Sequence, residues 1–169
     1  MKAQSEILVF ILLFLLSIGL FTITVFWGKD IFQQNVDMTK VSSAEKFMKE
    51  IDYNIKSLIK FGGYKEIDYK VDGPIILIDS KTIEVRTVIP SGISLPTSWI
   101  NISADSSYIR EMLDGDVFKI QLSYPENEYN VELFTEGPIL AKPKSVKVES
   151  NSTYFENDRL TIKIRITFI

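Results

Sequence analysis

Cysteine and histidine are both absent from this chain of 169 residues, so any chemistry it performs must rest on carboxylates, lysine, tyrosine or hydroxyl groups. Thiolate nucleophiles, imidazole acid-base catalysis, disulfides and zinc sites built on Cys or His are excluded. Asp114-Gly115-Asp116 could open a calcium loop, but acids do not follow at the alternating positions such a loop uses, and the triplet reads as a turn. Glu126 and Glu128 form a spaced carboxylate pair within "YPENEY", a stretch of turn chemistry where acids are ordinarily solvated. A Gly-rich phosphate loop, a Gly-x-Ser-x-Gly elbow and a nucleophile-base pattern are all missing. The expectation is a protein that is not an enzyme and holds no metal or cofactor.

Two short motifs offer a different chemistry. Asn101-Ile102-Ser103 and Asn151-Ser152-Thr153 are acceptor sequons for N-linked sugars, which suit a domain outside the cell. Trp99, Tyr124, Tyr129 and Phe155 have faces on which a sugar could stack, although core and strand packing is the commoner use of such residues. With 19 basic against 22 acidic side chains and a net charge of -3, the chain lacks the cationic surface that a nucleic-acid backbone requires.

The remaining candidate is Glu6, a carboxylate at the threshold of an apolar run. From Ile7 to Trp27 the sequence carries no charge, and at about 1.5 Å of rise per residue the run would span about 31 Å, the thickness of a bilayer core. Only Ser17, Gly19, Thr22 and Thr24 interrupt it, without the polar stripe of a buried core helix. A cleaved secretory signal fits poorly: Ser17-Ile18-Gly19 is the nearest small-x-small site, and cutting there would leave "LFTITVFW" on the mature chain. Lys2 and the amino terminus lie before the run, while Lys29 and Asp30 cancel after it. That asymmetry favours the N-terminus inside the cell and the rest of the chain outside.

A carboxylate in the first turn of such a helix would suit the helix dipole and the wet headgroup region. The residues around it, "KA" followed by "QSEILVFILLFLL", also resemble the N-termini of archaeal type IV pilins and pilin-like proteins. Those combine a short charged leader ending in Ala or Gly, one or two polar residues, often Glu at the third position after the cut, and then an unbroken apolar helix. The resemblance covers residues 2-27. It implies that a leader peptidase, recognising Lys2 and Ala3, would cut between Ala3 and Gln4. It also implies that Glu6 would pair, in a filament core, with the new amine at Gln4 of a neighbouring copy, because a buried carboxylate needs a positive partner.

Beyond Lys29, the residues Val41, Ala44, Met48, Ile51, Ile55 and Leu58 recur at alternating spacings of three and four. This predicts one apolar stripe along a helix, which faces the protein's own core. The pairs Glu45/Lys49, Lys46/Glu50 and Asp52/Lys56 stand four apart on the other side, each worth a few tenths of a kcal/mol. Gly62-Gly63 should end the helix. A continuous helix from Gln4 to Lys60 would be about 85 Å long. The capping-box sequence "SSAE" at 42-45, with Gly28 and Asn35 upstream, predicts instead a kink or break between Gly28 and Ser42.

After Gly63 the period changes to two. "KTIEVRTV", "VFKIQLSY", "YNVELF", "SVKVE" and "RLTIKIRITF" are expected to be strands, with "YPENEY" and "ENDR" joining antiparallel neighbours. "DSSYIREMLDGD" is expected to hold a short surface helix closed by a turn at 114-116, and the stretches from Pro90 to Pro96 and from Pro138 to Pro143 to be loops. The fold class is therefore α+β: a long N-terminal helix packed across one face of an antiparallel β-sandwich-like domain of six to eight strands. Its parts are residues 1-28 as leader and membrane or filament-core helix, 29-62 as amphipathic helix, and 63-169 as the extracellular β-domain.

What the resemblance implies for function is a structural pilin-like subunit of an archaeal surface filament, located in the cytoplasmic membrane or in the filament itself. Its partners would be the membrane, further copies through the N-terminal helix, the leader peptidase and the pilus assembly machinery, with no nucleic acid. The alternative with the same anatomy is a single-pass anchored β-domain, including a minor pilin, that binds a surface ligand or partner for adhesion without forming a polymer.

Overall fold

A computed structural model describes residues 2-90, 92-103, 108-125, 129-156 and 158-169, with the backbone alone at 2-6, 140 and 141. Glu126 and Glu128 lie outside the described residues. The chain opens with one helix, α1 (Lys2–Phe61). Among the described residues ten strands follow: β1 (Tyr64–Asp68), β2 (Ile75–Asp79), β3 (Thr82–Val88), β4 (Ile100–Asn101), β5 (Tyr108–Asp114), β6 (Val117–Ser123), β7 (Tyr129–Phe134), β8 (Leu140–Ala141), β9 (Ser145–Glu156) and β10 (Arg159–Phe168). They form a four-stranded sheet in the order β1-β9-β10-β7 and a six-stranded sheet in the order β4-β5-β6-β3-β2-β8. This is the expected α+β layout, with more strands than the six to eight anticipated because β4 and β8 are only two residues each.

The helix is uninterrupted where a break was expected between Gly28 and Ser42. The "SSAE" sequence starts no helix, since 42-45 lie inside α1, and its second serine, Ser43, donates Oγ back to the Thr39 carbonyl at 2.8 Å, the i-4 bond of a helix interior. Spanning 60 residues, α1 is about 90 Å long. It stops where expected, with Gly62 at φ 66° and its N–H donating to the Leu58 carbonyl at 2.8 Å, a left-handed closure that glycine adopts without steric cost.

The apolar stripe is the inner surface of the domain. Val41, Ala44, Met48, Ile51, Ile55 and Leu58 are all buried, joined by Phe47. The helix does not lie across one face: it contacts β6 and β3 of the larger sheet and β1 and β9 of the smaller. Ile83, Val85, Phe118, Ile120 and Leu122 meet it from one side, and Ile67, Val146, Val148, Ile164 and Ile166 close the same core from the other. The helix is thus the element that completes a core shared by both sheets.

Three local expectations are corrected. Residues 108-114 form β5 instead of a surface helix, because Ile109 and Glu111 alternate inward while the strand pairs with β6 from Tyr108↔Ser123 to Asp114↔Val117. The expected turn at 114-116 stands, with Gly115 at φ 61°. "YPENEY" does not join neighbours: β6 ends in the six-stranded sheet and β7 begins in the other, running parallel to β10. Both ends of that segment are anchored in the core, Leu122 and Tyr124 before it and Val131 and Leu133 after it being buried, with Leu122 in one sheet and Val131 and Leu133 in the other. The stretch from Pro138 to Pro143 contains β8, paired with β2. β9 and β10 are the antiparallel neighbours expected on either side of "ENDR", with Arg159 opposite Glu156 and Asp158 at φ 62°, while Asn157 lies outside the described residues.

Candidate functional site: the uncovered half of the helix

Between Ile7 and Trp27 every hydrophobic side chain is at least 48% exposed, and the domain covers none of them. Uncovered apolar surface on this scale cannot face water. Three polar side chains interrupt the run, and each satisfies itself along the helix. Ser17 Oγ donates to the Leu13 carbonyl, Thr22 Oγ1 to Ile18 and Thr24 Oγ1 to Leu20, all at 2.8 Å. With no donor left over, the segment can enter a medium that offers no hydrogen bonds. Among the described residues this is one helix long and apolar enough to cross a membrane, which fits a membrane-anchored protein.

The boundary between the uncovered and the docked halves is a polar collar. Extending the buried stripe four residues back from Val41 reaches Asp37, which is 0% exposed. Gln33 Nε2 donates to Asp37 Oδ1 at 3.1 Å, and Lys40 Nζ stands 3.6 Å from the same oxygen. Lys40 also donates to the Val88 carbonyl at 3.2 Å and reaches Asp72 at 3.4 Å, while Lys142 holds Asp72 from the other side at 3.1 Å. These two lysines, Lys142 first, keep the Asp72 carboxyl below its ordinary range. One helical lysine therefore ties α1 to the β1–β2 connection and to the end of β3, fixing the direction in which the apolar half leaves the domain.

Lys2, Ala3, Gln4 and Glu6 lie at the free end of α1, far along the helix from the domain. The first turn carries no acid, so Glu6 falls in the second turn and not the first. Asn101 lies on β4 and Asn151 on β9, both exposed and on different sheets. Tyr124 is buried, Tyr129 packs against the core, the Arg110 guanidinium covers the Trp99 ring at 4.9 Å, and Phe155 is 77% exposed. The sequence reasoning missed Asp37 and placed Asp52 on the solvent side of the helix. In fact Asp52 is buried, and the spacing of the apolar stripe, extended through its neighbouring positions, is the signal that would have found both.

No protein-family model, curated protein or solved structure matches this chain. A single long apolar N-terminal helix carried on a β-rich domain is compatible with a pilin-like fold.

Proposed function

We propose that this protein is a structural subunit of an archaeal type IV pilus-like surface filament, held in the cytoplasmic membrane by residues 7-27 before assembly and packed helix to helix with further copies afterwards. The observation that carries this reading is where the uncovered apolar surface ends. Ile31, Phe32 and Met38 are 41%, 69% and 51% exposed, and Ile7 to Met38 covers about 48 Å of helix against about 30 Å of bilayer core. Trp27, Ile31 and Met38 fall on one line of the helix by its 3.6-residue period. A bilayer spanning residues 7-27 covers Trp27 and leaves Ile31 and Met38 wet above the membrane; a bundle of like helices covers all three.

On this reading a leader peptidase removes residues 1-3, and Glu6 sets axial register by pairing with the Gln4 amine of a neighbouring copy. The β-domain, docked on residues 37-61, is displayed outward. The test is N-terminal sequencing and electron microscopy of the protein from its native surface fraction. Filaments built of chains starting at Gln4 are expected. Membrane-bound, unpolymerised chains starting at Met1 would overturn the proposal in favour of a fixed anchor carrying a binding domain.

A further inference from the structure

The two sequons sit in different surroundings, and the structure separates them. Asn101 belongs to β4, where it pairs with Arg110 of β5. The next residue of its sequon, Ile102, packs against the core and donates its N–H to the Ile109 carbonyl at 2.8 Å. Ser103 is half-buried. Two of the three residues of this sequon are thus held partly buried against the domain.

Asn151 is placed otherwise. In the β9–β10 ladder Lys163 pairs with Ser152 and Ile164 with Ser150, so Asn151 is the extra residue of a β-bulge and has no residue opposite it. Asn151, Ser152 and Thr153 are all exposed, in the half of β9 that follows its pairing with β1. Asn151 also lines an open cleft of about 370 Å³ with Ser80, Glu132, Phe134 and Lys163, a volume within the range of small-molecule sites. Its polar floor is braced: Lys163 Nζ stands 3.4 Å from Glu132 and 5.0 Å from the Tyr154 ring centre, and Tyr154 donates to Glu132 at 3.0 Å. Phe134, Glu132 and Lys163 thus put an aromatic side chain, a carboxylate and an ammonium in the same cleft as Asn151.

From this geometry we infer that Asn151 is an N-glycosylation site and that Asn101 is not. The donor is a saccharide carried on a membrane lipid phosphate. Asn151 Nδ2 forms the bond to the anomeric carbon, the bond from that carbon to the phosphate oxygen breaks, the lipid phosphate leaves with the electron pair, and one amide proton is released. The inference requires only that the β-domain lie on the outer side of the membrane, and it stands whether or not the chain polymerises.

Intact mass and peptide mapping of the full chain, produced in its own organism, test it. A mass increase of at least one sugar residue is expected on the peptide holding Asn151. It should vanish in Asn151→Gln and in Thr153→Ala, which keeps the asparagine but removes the sequon hydroxyl, and persist in Asn101→Gln. An unmodified native mass, or an increase that survives Asn151→Gln, would overturn it.

Discussion

Tyr124 donates its hydroxyl to Asp52 Oδ1 across 3.0 Å, joining the end of β6 to the buried face of α1, while Lys56 Nζ holds the other carboxylate oxygen at 2.8 Å. Both Tyr124 and Asp52 are under a tenth exposed. The bond therefore fastens the larger sheet to the helix inside the core, with the ammonium of Lys56 compensating the buried charge. Removing the hydroxyl by Tyr124→Phe takes away one hydrogen bond to an ionised group and should cost about 2 kcal/mol. Urea unfolding of the detergent-solubilised protein followed by tryptophan fluorescence measures it; an unchanged midpoint would mean that the bond adds nothing to folding.

The same burial makes the fold sensitive to alkali. Burial, then the charge of Asp52, pushes the Tyr124 phenol well above 10.0, and burial together with Asp72 raises Tyr69 in the same direction. The folded state thus holds protons that the unfolded chain releases near pH 10. Their contribution is fully present below that value and is lost as the pH rises above it. A stability profile should fall above pH 10, and the fall should shrink in a Tyr69→Phe, Tyr124→Phe double variant whose stability at pH 7 serves as its baseline.

Periodicity made the helix legible from Val41 to Leu58, because a buried stripe of six apolar residues has one simple explanation. The strongest strands, β3, β6 and β10, were legible for the same reason. Sheet membership was not. The parallel pairing of β7 with β10 depends on which inner face each strand closes, and alternation says that a strand has an inner face without saying which sheet it joins. The β5 segment misled because Arg110, Glu111, Met112 and Leu113 favour a helix locally, and pairing with β6 overrides that preference. Gly73 shows a constraint invisible to patterns: a Cβ there would stand 1.7 Å from the Arg86 carbonyl oxygen, so the approach of the β1–β2 connection to β3 requires glycine. The apolar half of the candidate site was legible at once, its polar collar not at all, since Asp37 and Lys40 meet partners far along the chain.

Glu111 is a buried carboxyl on the inner side of β5, and one of its oxygens, Oε2, makes no hydrogen bond among the described residues. Burial, and then the charge of Glu45 on the helix, raises its pKa, with Lys49 acting in the opposite sense. A raised carboxyl contributes stability below its unfolded value and loses that contribution as the pH rises through the folded value. Glu111→Gln keeps the shape and removes the ionisation. It should raise the unfolding midpoint at pH 7 relative to the parent and narrow the difference at pH 4, as unfolding curves at the two pH values would show.

Ile31→Gln with Met38→Gln tests the surface that the β-domain and a bilayer both leave bare. Glutamine is nearly as good a helix former as the residues it replaces, and neither position touches the domain core. Domain stability should therefore change by less than about 0.5 kcal/mol, and membrane insertion should persist, because residues 7-27 are untouched. Polymer formation should fail or weaken, since two amides would then be desolvated in each helix-helix contact. Sedimentation of surface filaments beside a membrane-fractionation assay reads both effects. Normal filament yield from the double variant would show that the apolar line above the membrane is not what neighbouring helices bury.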